Sequence, residues 1–212
     1  MSKVIIFGAS GALGSACLNE FSEREWEIHQ IGRDLSALKG IEGVNAAVWA
    51  QGANFTGSIS DTSEQVWEEL WEANVHYIVK SLQLLLDSNA IVSSGRLVII
   101  SSVWQEIARA NKLAYITTKS AVGGLVRGLC AELGSRNIAV NGVLPGVVDT
   151  PMTHKNLSSQ QVEEIQRNTP IEELVTAGDV ARVVRFLASP ESKGINGQSI
   201  TVDNGWALSR NV

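Results

Sequence analysis

The chain has few cysteines and no long apolar run, and each absence excludes a class of protein. Only Cys17 and Cys130 occur among 212 residues. Both lie in apolar helical patterns far apart in the sequence, which favours free buried thiols over a disulfide framework. No apolar run approaches the ~20 residues that a membrane-spanning helix needs. The first residues lead directly into a strand pattern without a signal-peptide cleavage motif. We therefore expect a cytoplasmic protein without a membrane partner.

The chain also lacks a basic block. Its 22 acidic and 17 basic residues give a net charge of −5 and are spread along the sequence, so no stretch could neutralise a run of phosphates. This argues against a nucleic-acid partner, and we predict no metal site. Hydrophobic residues make up 44% of the chain, which is enough for one substantial core, and we expect a single domain over residues 1–212.

Short apolar runs rich in β-branched residues alternate with segments of helical periodicity along the whole chain. This alternation predicts a doubly wound parallel sheet in a three-layer α/β/α arrangement, with ligands at the carboxyl ends of the strands. Glycine or polar residues close the runs, and Asp179 suits the first turn of a helix. The predicted strands are KVIIFG, EIHQIG, VNAAVWA, RLVIIS, IAVNGVL and QSITVD. The predicted helices cover about 12–24, 62–88, 112–133 (stopped by Gly134), 158–168 and 179–188.

The stretch FGASGALG joins the first predicted strand to the first predicted helix. It spaces Gly8, Gly11 and Gly14 three apart, with Ser10 and Leu13 between them. Such glycines allow a tight turn and let backbone N–H groups approach a pyrophosphate. At the first strand of an α/β chain, this pattern favours a Rossmann-type nucleotide site with these five residues against the cofactor. A plain strand-to-helix turn is the alternative.

The residues at the end of the second predicted strand, QIGRD, indicate which nucleotide the chain prefers. An acid at this place binds a ribose 2′-hydroxyl and a base binds a 2′-phosphate. Here Gly32 stands where the acid is expected and Arg33 follows it. A guanidinium suits a phosphate, so the sequence favours NADP(H) over NAD(H). Alternatively, Arg33 faces solvent and Asp34 turns toward the ribose.

Tyr115 and Lys119 lie four residues apart in LAYITTKSAVGGL, which reads as helix. This spacing puts both side chains on one face. A nearby ammonium lowers the pKa of a phenol from ~10 and makes it a usable acid–base group. The spacing alone describes a solvated helix face equally well.

The wider context changes that interpretation. Ser102 precedes Tyr115 just past a strand, and the set resembles the Ser, Tyr-x-x-x-Lys signature of the short-chain dehydrogenase/reductase family. Asn74 matches the fourth member of that family's catalytic tetrad. NGVLPGVVDTPM and GINGQSITVDNGW resemble the family's nicotinamide-side segment and its C-terminal strand with the following loop.

The resemblance implies hydride transfer between a nicotinamide and a small-molecule carbonyl or secondary alcohol. Tyr115 would give or take the proton, and Lys119 would lower its pKa and hold the nicotinamide ribose. Ser102 would bind the substrate oxygen, and Asn74 would fix a water. Ser101 would point the opposite way from Ser102. Cofactor contacts are also expected from Gly52, Pro145, Val148 and Thr150. Substrate contacts are expected from Trp104, with packing as its alternative, and further candidates are Gln105, Arg109, Met152 and His154.

The sequence departs from the family in two places on the cofactor side. Only residues 33–43 separate the second and third predicted strands, so the family's third strand should be missing and six strands should remain. Asp34 and Leu35 could substitute at the adenine. In WAQGAN, Trp49 and Ala50 stand where the family's Asn-Ala-Gly-like motif has asparagines.

These departures support one alternative function, a non-catalytic nucleotide-binding sensor or scaffold. A narrower alternative is a 3-oxoacyl-thioester reductase, which would require a basic entrance for a phosphopantetheine carrier. The small residues of SAVGGLVRGL permit close helix approach. Together with the family's habit, they predict a homodimer or homotetramer, although packing inside the monomer could also explain them.

Overall fold

The computed structural model describes residues 1–21 and 25–209. Its main sheet is built from the apolar runs, because strands buried on both faces need continuous Val, Ile and Leu. The strands are β1 Ser2–Phe7, β2 Trp26–Ile31, β3 Val44–Trp49, β4 Ile91–Ile100, β5 Ala139–Pro145, β6 Val148–Asp149, β7 Val175–Thr176 and β8 Ser199–Val202. Six of them pair in the order β2-β1-β3-β4-β5-β8, all parallel, while β6 and β7 form a separate short pair.

Apart from the short helix at Pro151–Asn156, which was not predicted, the helices lie close to the predicted positions. They are α1 Ala12–Glu20, α2 Glu64–Trp71, α3 Tyr77–Asp87, α4 Leu113–Leu133, α5 Pro151–Asn156, α6 Ser159–Arg167 and α7 Ala177–Leu187. Asp179 completes a capping box with Thr176 at the start of α7, which confirms its predicted place in the first turn. The predicted end of the first helix, near residue 24, falls outside the described residues. None of the helices in the described ranges combines the length and apolar character that crossing a bilayer requires.

The sheet is covered on both faces, as the three-layer prediction requires. Successive residues of β1 point to opposite sides, with Ile5 and Phe7 in one apolar cluster and Val4 and Ile6 in the other. The first cluster packs under α3 and α4, and the second packs under α1 and α7. The doubly wound Rossmann-type architecture is therefore confirmed.

The connection between β2 and β3 is as short as the sequence predicts. Residues 33–43 hold a single 3-10 turn, Leu35–Leu38, and β3 pairs directly with β1. The family's third strand is absent from this connection, and β2 occupies the edge of the sheet. The fold survives because the loss is confined to that edge.

Two local predictions need correction, and one is confirmed. The predicted helix over 62–88 is interrupted by a π-helical turn at Glu72–His76. α4 ends at Leu133 with Gly134 as its C-cap, as predicted. Gly134 is right-handed at φ −57°, a 3-10 turn follows it, and Asn137 is the left-handed residue at φ 57°. Both thiols are free, as expected, but Cys130 is only half-buried. Cys17 is buried, and burial raises its pKa to about 12.

Candidate active site

The predicted site residues meet at one edge of the sheet because parallel strands all end there. Gly8 follows β1, Gly32 follows β2, Gly52 comes after β3 and Ser102 after β4, while Pro145 ends β5. In an open parallel sheet this edge forms the ligand crevice. Each of these residues can therefore reach a common ligand.

The glycine loop is shaped by close backbone approach. Gly8 has φ +75°, and a Cβ added at Gly14 would lie 2.2 Å from the Gly8 carbonyl oxygen. Gly11 has room for a Cβ and precedes α1 without any side-chain cap. Ser10 is exposed and Leu13 is half-buried against the core. The loop thus presents the uncapped start of a helix, which suits an anionic group such as a pyrophosphate.

Two charged residues follow β2, Arg33 and Asp34, and their surroundings differ. Arg33 is exposed. The Asp34 carboxylate accepts hydrogen bonds from Ser36 N at 2.9 Å and Ser36 Oγ at 2.8 Å, and these bonds lower its pKa. Asp34 therefore caps the following turn, and Leu35 packs against the core. The Gly32 carbonyl accepts a hydrogen bond from the Tyr77 hydroxyl.

Tyr115 and Lys119 lie side by side on α4, and Lys119 Nζ is 5.6 Å from the centroid of the Tyr115 ring. Burial raises the pKa of Tyr115 to about 12, although a hydrogen bond with the Ser102 side chain acts in the opposite direction. Burial also lowers the pKa of Lys119 to about 8. The structure therefore joins a phenol, a hydroxyl and an ammonium in a desolvated place. Ser101 Oγ is buried without a hydrogen-bond partner in the described part of the chain.

Asn74 lies in the π-helical turn, where the extra residue changes the direction of the side chain relative to a regular helix. Its Oδ1 accepts a hydrogen bond from Ala53 N at 2.9 Å, and its Nδ2 donates to Ala53 O and to Thr118 Oγ1, both at 3.0 Å. A Cβ added at Gly52 would lie 2.9 Å from Asn74 Oδ1 and 3.4 Å from Lys119 Nζ. Asn74 thus ties the loop after β3 to the helix that carries Tyr115.

The segment after β5 reaches the same edge of the sheet. Pro145 is buried and pairs with Val202. The Val148 carbonyl accepts a hydrogen bond from Thr153 Oγ1 at 2.6 Å, and Thr150 Oγ1 caps α5 by accepting one from Thr153 N at 3.3 Å. The polar groups expected to meet a nicotinamide are therefore held in place by the start of α5.

The predicted substrate residues separate into two groups. Trp104 makes an edge-to-face contact with Trp206, with 5.7 Å between ring centroids, and Arg109 and Met152 are exposed. Gln105 instead donates to Ser199 Oγ at 3.1 Å and fills the space beside Gly123, so its side chain packs under the loop. His154 is not isolated, because its Nε2 lies 2.6 Å from Asp149 Oδ1.

Four residues near the site were not identified from the sequence. Thr118 lies on α4, and Lys112 directly precedes that helix. Lys112 Nζ donates a hydrogen bond to Asn54 Oδ1 at 2.8 Å and lies 5.5 Å from the centroid of the Tyr115 ring. Trp206 faces Trp104, and Gln51 precedes Gly52. Three of them belong to motifs that the sequence does show: Gln51 to WAQGAN, Thr118 to LAYITTKSAVGGL and Trp206 to GINGQSITVDNGW.

Comparisons with known proteins identify the family of the chain. Residues 29–207 match the family model described as "Enoyl-(Acyl carrier protein) reductase". An uncharacterized oxidoreductase of Bacillus subtilis is 30% identical over 177 residues, covering 84% of this chain and 73% of the relative. A 3-oxoacyl-[acyl-carrier-protein] reductase of Staphylococcus aureus is 32% identical over 145 residues, covering 68% of this chain and 58% of the relative.

Solved structures match the fold over its whole length. A short chain dehydrogenase family protein of Francisella tularensis superposes with a TM-score of 0.90 at 21% identity, covering 99% of this chain and 100% of that one. A putative gluconate 5-dehydrogenase of Beutenbergia cavernae, solved with bound NADP, gives 0.86 at 24% identity and covers 98% and 97%. The chain therefore belongs to the short-chain dehydrogenase/reductase family of oxidoreductases.

Proposed function

We propose that the protein is an NADP(H)-dependent oxidoreductase that transfers hydride between the nicotinamide and a carbonyl or secondary alcohol of a small molecule. The observation that carries the proposal is the placement of Tyr115 between the Ser102 side chain and the Lys119 ammonium. A protein that only binds a nucleotide has no need of this desolvated acid–base group. Asn74 completes the set through the loop at Gly52.

The residues present fit a nicotinamide dinucleotide. Gly8 and Gly14 leave no space for a Cβ, and the turn opens onto an uncapped helix start, which suits the pyrophosphate. Gly52 brings backbone beside Lys119, where a ribose would be held. The bound cofactor would supply or accept the hydride. Pro145, Val148 and Thr150 would wall its nicotinamide side.

Tyr115 would exchange the proton with the substrate oxygen while Ser102 donates a hydrogen bond to that oxygen. With a pKa of about 12, the phenol is neutral at physiological pH. The neutral phenol is the form that donates a proton during carbonyl reduction. The Lys119 ammonium, present below its pKa of about 8, stabilises the phenolate that this donation leaves.

The preference for NADP(H) over NAD(H) is supported by the end of β2. Arg33 is exposed there, whereas the Asp34 carboxylate is held by Ser36. A guanidinium can pair with a 2′-phosphate. Calorimetric titration with NADPH and NADH should show tighter binding of NADPH, and Arg33→Ala should remove the difference. A wild-type protein that binds NADH more tightly would contradict this preference.

Reduction of a 3-oxoacyl thioester is a narrower candidate. It is favoured by the 32% identity to the Staphylococcus aureus reductase and by Met152, which is 61% exposed on α5 and could meet an acyl chain. Acetoacetyl-coenzyme A, included in a carbonyl panel, tests it. Turnover of simple ketones but not of the thioester would rule it out.

We also propose a homodimer or homotetramer. A Cβ added at Gly124 or Gly128 of α4 would meet nothing within 4 Å, so this helix surface is open to close approach. Gly123, in contrast, packs on Gln105 inside the subunit. Sedimentation equilibrium tests the proposal, and a monomer at all concentrations would contradict it.

The decisive experiment is NADPH oxidation against a panel of aldehydes, ketones and oxoacids, with Tyr115→Phe as the control. Turnover by the wild type and its loss in Tyr115→Phe would support the enzyme. Tight NADPH binding without turnover of any carbonyl would favour the sensor or scaffold. Failure to bind NADPH or NADH at millimolar concentration would overturn both.

A further inference from the structure

Lys112 places a second ammonium near Tyr115, in addition to that of Lys119. The two Nζ atoms lie 5.5 Å and 5.6 Å from the centroid of the Tyr115 ring. Lys112 comes three residues before the tyrosine and Lys119 four residues after it, so they approach the ring from opposite ends of the helix. Lys119 lies beside Gly52, where the cofactor ribose is expected. Lys112 is therefore the cation that can serve the substrate.

The Lys112 ammonium is anchored by two neutral groups. It donates hydrogen bonds to Asn54 Oδ1 at 2.8 Å and to the Phe55 carbonyl at 3.2 Å. An ammonium carries three donors, so one donor has no partner in the ranges that the structure describes. Neither anchor supplies a negative charge. Because the residue is half-buried rather than fully exposed, water screens its charge only in part, and an anion bound there would be attracted strongly.

Arg109 adds a second positive charge to the same place. Burial and the charge of Arg109 both lower the pKa of Lys112, so the two cations repel each other. Neither forms an ion pair with an acidic side chain among the described residues. Glu106, the acidic residue of the loop 101–112, accepts a hydrogen bond from Gln105 instead. In a chain of net charge −5, two neighbouring cations without an acid favour an anionic ligand.

We propose that Lys112 and Arg109 bind a carboxylate of the substrate, so that the substrate is a small oxoacid or the corresponding hydroxyacid. Its carbonyl would lie at the Tyr115 hydroxyl and its carboxylate at the Lys112 ammonium, which is close to the same ring. The guanidinium of the exposed Arg109 matches a carboxylate with its fork of donors. The carbonyl is reduced to the alcohol as proposed above, and the carboxylate is unchanged.

This inference rests on the proposed function and deepens it, because it names the chemical class of the substrate. The position of Lys112 also bears on the source of the negative charge. A group at this ammonium lies only a few bonds from a carbonyl at Tyr115. The phosphates of an acyl-thioester carrier are separated from the thioester by the whole pantetheine chain. The carboxylate of an oxoacid therefore fits the site better than such a phosphate.

A purely structural role of Lys112 leads to a different expectation. In that role the ammonium ties the loop after β3 to the start of α4 through Asn54 and Phe55. Its loss would then impair the reduction of acids and of neutral carbonyls equally. Asn54→Ala separates the two roles, because it removes one of the anchoring hydrogen bonds and keeps both cations.

The test measures kcat/KM for NADPH oxidation with pyruvate, acetoacetate and levulinate, each against its methyl ester. The ester keeps the carbonyl and removes the negative charge. We expect wild type to favour at least one acid over its ester by about tenfold or more. Lys112→Met should lower kcat/KM for that acid about ten- to hundredfold, mainly through KM, and leave the ester nearly unchanged.

Three variants accompany this measurement. Lys112→Arg keeps the charge and should retain part of the preference for the acid. Arg109→Ala should weaken the acid by a smaller factor than Lys112→Met, because an exposed charge is screened by water. Lys193→Met removes a lysine at an exposed position and should behave as wild type.

Four results would overturn the inference. They are equal turnover of acids and esters by wild type, an equal loss for both in Lys112→Met, the same change of the acid-to-ester ratio in Asn54→Ala, and faster Lys112-dependent turnover of acetoacetyl-coenzyme A than of acetoacetate. The last result would assign the cations to the phosphates of a thioester carrier.

A binding measurement distinguishes failure of this inference from failure of the proposed function. Calorimetric titration with butyrate and with butyramide, in the presence of NADP⁺, needs no turnover. Butyrate binding that Lys112→Met weakens, without reduction of any carbonyl, would refute the proposed function and support the carboxylate site. Turnover of neutral carbonyls without any preference for acids would refute the carboxylate site and support the proposed function.

Discussion

Lys119 is charged in the unfolded chain but lies in a desolvated interior in the folded one, so its replacement by an apolar residue should stabilise the protein at neutral pH. The residue is 4% exposed, and burial lowers its pKa from 10.5 to about 8. One pKa unit corresponds to about 1.4 kcal/mol. The shift therefore represents a penalty of about 3 kcal/mol in the free energy of unfolding at pH 7.

The penalty depends on pH in a definite direction. Below pH 8 Lys119 is protonated in both states, so the whole penalty is present. Between about pH 8 and 10.5 the folded chain has released the proton and the unfolded chain still binds it. The unfolded state then binds more protons, so the stability of the wild type rises with pH. Above pH 10.5 the penalty is absent.

Urea denaturation of wild type and Lys119→Met at pH 7 and pH 9 measures this effect. We expect Lys119→Met to be more stable by about 3 kcal/mol at pH 7 and by about 2 kcal/mol at pH 9. Differences in packing do not depend on pH, and Cys17 titrates in both proteins, so neither changes the trend. Lys193→Met, at an exposed position, is the control. A stability difference that is the same at both pH values would refute the argument.

Three further predictions concern other parts of the site. Tyr115→Phe should reduce kcat for carbonyl reduction by roughly 10²–10⁴-fold with an unchanged Kd for NADPH, and a loss below tenfold would contradict the assigned proton donor. Gly14→Ala places a methyl group 2.2 Å from the Gly8 carbonyl and should lower the free energy of unfolding by about 2 kcal/mol or more. The matched Gly134→Ala, at an exposed position with φ −57° where a Cβ meets nothing within 4 Å, should raise the free energy of unfolding by about 0.4–1 kcal/mol. A lower urea midpoint for Gly134→Ala than for Gly14→Ala would contradict this reasoning. Asn74→Ala removes three hydrogen bonds to Ala53 and Thr118 and should lower the free energy of unfolding by about 2–3 kcal/mol, so wild-type stability would refute its bridging role.

Much of the fold could be predicted because strands buried on both faces are written as continuous apolar runs. β1, β3 and β5 follow such runs almost residue for residue. The short connection over 33–43 also predicted that the family's third strand is absent, because the length of a connection limits the elements that it can contain. β4 begins at Ile91, earlier than expected, because Ser93, Ser94 and Gly95 interrupt the apolar pattern between Ile91–Val92 and the predicted run RLVIIS.

The sequence predicts which residues belong to the candidate site, but not how their side chains are oriented. The π-helical turn at Glu72–His76 was not foreseen, because apolar periodicity does not resolve one extra residue in a turn. Nor does the sequence show that Gln105 packs beside Gly123 or that Trp49 stacks on Phe7 at 5.1 Å and donates to Ser81. The orientations of these side chains depend on tertiary packing. The aromatic stack explains how the core accepts tryptophan where the family has a polar residue.

The position of β2 at the rim of the sheet has a consequence for self-association. Its outer backbone groups meet no strand in the described ranges, and such an edge can template strand exchange between molecules. β2 is short and carries Glu27 within 3.4 Å of Lys3 Nζ and 2.7 Å of His29 Nε2. Charged side chains on an edge discourage that pairing. Because no third strand covers β2 in the described ranges, the side chains of Lys3, Glu27 and His29 are the groups that oppose edge-to-edge pairing there.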